Sequence, residues 1–144
     1  METSTVRRTV VAARIENVMD LYAASKGQLP DEQIRRIEVS DALVDTGASH
    51  LAMPKHLIEQ LDIPRVSTGR AKTTGGLRTF DLYGPVRLTI QGRVCSVDVA
   101  EIADECPVLI GYIPLENLDL VVDPKNQRVI GNPAHGGEFM IDMF

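Results

Sequence analysis

One stretch, Leu43-Val44-Asp45-Thr46-Gly47-Ala48-Ser49, limits what this chain can fold into more than any other. Leu43 and Val44 bring a β-prone apolar segment up to an acid, and the small residues behind it, Gly47 above all, let the backbone turn sharply and pack closely. The preceding pattern, Ile37, Val39 and then Leu43-Val44, predicts a strand that passes from half-buried to fully buried as it reaches Asp45. A carboxylate on a tight turn at a strand end follows. Asp and Gly also serve ordinary surface turns, so the flanking residues decide the reading: apolar before the triplet, Ala-Ser after it.

A second stretch, Val108-Leu109-Ile110-Gly111 followed by Pro114-Leu115-Glu116-Asn117-Leu118, reads as a buried strand that ends in glycine and runs into a short helix. In order and spacing the two stretches together resemble the retroviral-type (retropepsin-like) single-domain aspartic proteases. The active-site pattern of that family, hydrophobic-hydrophobic-Asp-Thr-Gly-Ala/Ser, is matched residue by residue. The resemblance covers about residues 37–122. It implies an all-β fold, the closed β-barrel of an acid-protease half-domain with one or two short helices. Only one Asp-Thr-Gly is present, because Ser67-Thr68-Gly69 lacks the acid, so the site would be completed in a symmetric homodimer.

By the same resemblance Asp45 is catalytic, and Thr46, Gly47 and Ala48 support the active-site loop. Leu43, Ser49, Thr74, Gly75, Gly76 and Leu109 would meet a peptide or protein substrate in extended conformation. Two departures stand out. Retroviral enzymes usually carry an acid after the Ala and an Arg after the later glycine, which form an ion pair; here those positions are Ser49 and Tyr112. The joint loss implies a different support, such as a hydroxyl hydrogen bond, and places the chain nearer free-standing bacterial or cellular relatives.

The implied activity is that of an aspartic endopeptidase. One carboxylate cannot be both general base and general acid, whereas two that share a proton can, so water would be activated between the Asp45 side chains of two copies. The alternative from another class is a non-catalytic peptide-binding or dimerisation module that retains the fold.

Composition narrows the rest. The 144 residues suit one domain, 1–144, around one core. With 4% aromatics and no Trp, that core must be built from Val, Ile, Leu and Ala, which favour sheets. The formal net charge of -5 and scattered Arg residues argue against nucleic acid as a partner. No run approaches the ~20 apolar residues that cross a bilayer, and the first residues do not read as an export signal, so a cytoplasmic protein without a membrane partner is expected. Cys95 and Cys106 are expected as reduced, structural thiols. His50, His56 and His135 show no metal-ligand spacing, so neither metal nor cofactor is expected. His50 is close enough in sequence to Asp45 to line the cleft edge.

Along the chain, residues 5–15 and 18–24 read as β-prone, with Asn17 turning between them, and Pro30-Asp31-Glu32 as one helical turn before Ile34. Residues 53–61 predict a two-turn helix with Pro54 near its start. Residues 70–80 predict a hairpin with a Gly75-Gly76 tip. Spacing alone leaves it either connector or lid; the resemblance favours a lid, since the family's flap occupies this place. Two more hairpins are predicted, one alternating through Val86, Leu88 and Ile90 and back through Cys95, Val97 and Val99, the other pairing residues 120–122 with 128–130. Residues 138–144 read as an apolar terminal strand whose open edge a second subunit would cover.

Overall fold

A computed structural model describes residues 8–143, so residues 5–7 of the first β-prone stretch and Phe144 of the last lie outside the described residues. Strand β1 (Val10–Asn17) runs antiparallel to β2 (Arg36–Val44). Strand β2 lies parallel to the short β7 (Leu109–Ile110), which pairs antiparallel with β3 (Leu51–Pro54). Strand β3 is parallel to β6 (Arg93–Ile102), β6 antiparallel to β5 (Gly76–Ile90), and β5 returns to β1. These six strands close a barrel. Strand β4 (Arg65–Thr73) pairs with β5 alone and stands outside the ring. A separate hairpin joins β8 (Leu120–Asp123) to β9 (Arg128–Gly131).

Alternation explains the barrel wall. Val86, Leu88 and Ile90 of β5 are buried while Arg87 between them is exposed, and β5 turns into β6 at Gln91-Gly92 with both residues at positive φ. Ile15, Leu51, Met53, Leu61, Leu88 and Ile110 are fully enclosed. Each such aliphatic side chain contributes about 1.5–3 kcal/mol by leaving water, so a core almost free of aromatics suffices. Helix α2 (Lys55–Leu61) follows Pro54 and buries Ile58 and Leu61, as the sequence implied.

Residues 18–24 depart from expectation. They form helix α1 (Val18–Ser25), not a strand, which with α2 and α3 (Tyr112–Asn117) makes three α-helices among the described residues where one or two short helices were expected. The cause is Asn17. Its side chain accepts from the Asp20 backbone N–H at 3.0 Å, capping the helix, and donates to the Leu61 carbonyl at 2.8 Å. Asp20 then takes three bonds from Arg35, each 2.9 Å long, and Arg35 reaches on to Asp62 at 2.8 Å. A cap and an ion pair on a buried carboxylate outweigh a weak β propensity.

The terminal segment also differs: residues 138–143 form no strand. Gly136 and Gly137 take positive φ, and beyond a turn bond from the Glu138 N–H, the segment's hydrogen bond to the body among the described residues is the Met140 N–H donating to Asp119 Oδ2 at 3.1 Å. No strand lies beside it, so no ladder forms. Asp119 is buried and collects further bonds from His135 Nδ1 at 2.6 Å and Asn132 Nδ2 at 3.1 Å. Arg93 fixes the same region through the Leu118, Asp119 and Gly137 carbonyls and lies over the Phe139 ring.

The His135 bond, seconded by Asn132 and Met140, holds the Asp119 carboxyl below the usual carboxylate range against the opposing effect of desolvation. A folded value below the unfolded one, about 3.9, means that its stabilisation is present above that pH and is lost as pH falls through the folded value. Asp119→Asn should therefore lower the urea midpoint at about pH 5, and the gap to wild type should narrow toward pH 2. A gap of constant size across that range would show that the carboxylate charge contributes nothing.

Candidate active site

Strand β2 delivers Asp45 to a turn that is tightly fixed. The Ala48 N–H donates to the Asp45 carbonyl at 3.0 Å, and the Gly47 N–H donates to Asp45 Oδ1 at 2.9 Å. One carboxylate oxygen is thereby oriented by the loop's own backbone, while Oδ2 has no hydrogen-bond partner among the described residues. Thr46 and Gly47 are exposed and Asp45 is half-buried. The strand leading in is less buried than its sequence implied: Ala42 is enclosed, whereas Leu43 and Val44 are only half-buried. The loop sits at the surface of the chain, so the strand's last residues emerge with it.

Behind the loop, β7 and the start of α3 are tied to it by four backbone bonds. Asp45 N–H donates to the Ile110 carbonyl at 3.0 Å, Gly111 N–H to His50 at 3.0 Å, Tyr112 N–H to Ala48 at 2.9 Å and Ile113 N–H to Ser49 at 3.0 Å. The approach is so close that a Cβ on Gly111 would stand 2.5 Å from the His50 carbonyl oxygen and from the Ser49 carbonyl carbon. These backbone bonds and the glycine contact support the loop without the ion pair of the retroviral pattern. The support is not a bond between the two substituted side chains: Ser49 Oγ lies 2.7 Å from His50 Nδ1, and the Tyr112 side chain is exposed.

Facing the loop, β4 and β5 form the predicted hairpin. Thr73 pairs with Gly76, leaving Thr74-Gly75 as a two-residue turn, and Gly76 adopts φ +102, which glycine tolerates. Thr73 Oγ1 donates to the Gly76 carbonyl at 2.8 Å and accepts from the Gly75 N–H at 3.1 Å, so the tip is shaped by its own residues. Lower down, Phe80 covers Gly69 so closely that a Cβ there would lie 2.7 Å from the ring. The same ring meets His50 edge-on, with centroids 6.0 Å apart.

Between hairpin and loop lies a cavity of about 460 Å³. Of the residues expected at the site, Gly47, Ala48, Ser49 and Leu109 line it; Asp45, Thr46, Leu43 and the tip residues Thr74, Gly75 and Gly76 do not. His50, Phe80 and Glu101 line it without having been expected to bind substrate. His50 stands at the cleft edge, as its nearness in sequence to Asp45 implied; Glu101 left no local signal, because strand pairing alone brings β6 there. Elsewhere, Cys95 and Cys106 are free thiols, and burial pushes the Cys95 thiol up to about 11. Among the described residues no three His, Cys, Asp or Glu side chains converge to hold a metal ion, and no helix is long and apolar enough to cross a membrane.

A family model described as aspartyl protease matches residues 33–122. That span is more than half of the chain and takes in the Asp45 loop, the hairpin and the β7-Gly111-α3 support. The chain belongs to the aspartyl protease family. No curated protein matches it.

Gly111→Ala places a methyl group against backbone atoms that cannot step aside. It should cost at least about 1–3 kcal/mol, read as a lowered urea midpoint. An unchanged midpoint would mean that the loop and β7 separate freely.

Proposed function

We propose that the chain is an aspartic endopeptidase whose active form is a homodimer, with one Asp45 from each copy. The observation that carries this reading is the Asp45-Thr46-Gly47 turn, surface-exposed yet fixed by six backbone hydrogen bonds of the loop and its support, beside a cavity roofed by a hairpin. Family membership supports the peptidase chemistry. The single carboxylate per chain supports the second copy, because proton donor and proton acceptor are both needed.

In this reading two Asp45 side chains meet at a two-fold axis and share one proton, since two carboxylates at that distance cannot both ionise. The ionised member takes a proton from water as its oxygen bonds to the scissile carbonyl carbon. The protonated member donates to the carbonyl oxygen, and a proton then passes to the leaving nitrogen as the C–N bond breaks. Thr46 joins the loops across the axis, and the amides at Gly75 and Gly76 grip the extended peptide as the hairpin closes. Leu43 and Leu109 serve as apolar wall beside the bond. Residues 138–143, with Ile141 59% and Met143 74% exposed, become a strand once the partner's terminal segment lies alongside.

Asp45→Asn removes the proton acceptor and should lower peptide cleavage by at least about 10²-fold while leaving the protein folded. Wild-type specific activity should fall on dilution, and deletion of residues 139–144 should bring that fall to higher concentrations. Cleavage retained in full by Asp45→Asn would overturn the mechanism. Full activity in a species that sediments as a monomer would overturn the dimer.

A further inference from the structure

We propose that Arg78 sets the substrate preference of this cleft: it takes peptides with an acidic side chain close to the scissile bond. The inference rests on the endopeptidase reading above and deepens it.

The hairpin's register fixes which side chains face the cavity. Gly69, Ala71 and Thr73 of β4 stand opposite Phe80, Arg78 and Gly76 of β5. Side chains two residues apart share a face of a strand. Phe80 meets His50 beside the active-site loop, so Arg78, two residues nearer the tip, occupies the same inward face and lines the cavity. Its guanidinium curls under the tip, where a Cβ on Gly75 would be 3.2 Å from Nη2.

Arg78 has no ion pair or hydrogen bond among the described residues. Arg14, Arg35, Arg36, Arg65 and Arg128 each have a carboxylate partner and Arg93 is held by carbonyls, while Arg8, Arg70 and Arg87, likewise without a partner among the described residues, do not line the cavity. A chain of formal net charge -5 thus leaves an unpaired cation inside its cleft. The other charged groups on the cavity wall do not neutralise it. Lys72, which pairs across the hairpin with Leu77, is a second cation on the cavity wall and adds to the positive charge there. Glu101 on β6 accepts from the Tyr83 hydroxyl at 2.8 Å. A guanidinium fork binds a carboxylate through two parallel hydrogen bonds, and exclusion of water under a closing hairpin strengthens that pair.

The test uses fluorescent peptides matched except for Glu or Gln at each position flanking the bond, assayed for cleavage by the wild type and for binding to Asp45→Asn. Each assay is repeated with Arg78→Leu and Arg78→Glu; Arg78 is exposed, so both variants should fold. Glu peptides should bind, and be cleaved with kcat/KM higher, by roughly 10- to 100-fold over their Gln counterparts, with the difference in KM. Arg78→Leu should abolish the preference, and Arg78→Glu should transfer it to Lys peptides. Glu-selective binding to Asp45→Asn that depends on Arg78, with no cleavage by the wild type, would support the Arg78 pairing and reject the peptidase reading alone. Binding that ignores Glu against Gln, binding whose preference survives Arg78→Leu, or no binding at all would overturn the inference.

Discussion

The contact of Gly111 with the backbone of the Asp45 loop is the constraint on which the rest of the structure depends. Strand β7 lies between β2 and β3, parallel to one and antiparallel to the other. The chain that leaves β2 must therefore cross over the end of β7 before it returns as β3. The crossing segment is residues 45–50, which is the site itself, and the residue beneath it is Gly111. A side chain there would hold the two backbones apart and break the four backbone hydrogen bonds that orient the loop. Fixing the Asp45 carboxylate is thus a by-product of closing the barrel in this order. The turn is held by backbone bonds, with Ser49 and Tyr112 standing where acid and base stand in the retroviral pattern.

How much of this was legible in the sequence follows from how local each determinant is. The Asp45 turn, the Gly75-Gly76 tip, the start of α2 after Pro54 and the alternation through Val86, Leu88 and Ile90 are set within a few residues, and each was readable. Helix α1 was not, because it is decided by Asn17 reaching Leu61 and Asp20 reaching Arg35, partners 44 and 15 residues away. The half-burial of Leu43 and Val44 was likewise hidden: periodicity reports that a strand is apolar but not that its end emerges at the surface. The terminal segment carries a strand's composition, yet a strand needs a neighbour to bond to.

Charge is distributed according to the same division between frame and cleft. Glu16 and Asp20 are buried at the base of the barrel and α1, paired with Arg36 at 2.9 Å and Arg35 at 2.9 Å. A buried pair that loses one partner costs more than the pair contributes when whole, so these contacts hold β1, α1 and the segment before β2 in one arrangement. Asp20 is held below the usual carboxylate range chiefly by its side-chain bonds from Arg35. On this side of the barrel the buried carboxylates are thus paired with arginines.

The β4–β5 hairpin is built in the opposite way. Strand β4 has one neighbour and its residues are mostly exposed, whereas β5 carries the hairpin back into the barrel and its Phe80 ring meets His50. Segments with few buried contacts open at low free-energy cost compared with the closed sheet beneath them. His50 also bonds Ser49, so the hairpin reaches the polar edge of the cleft through Phe80, His50 and Ser49. Asp45 is held from the other side, through the Ile110 carbonyl and the close packing of Gly111.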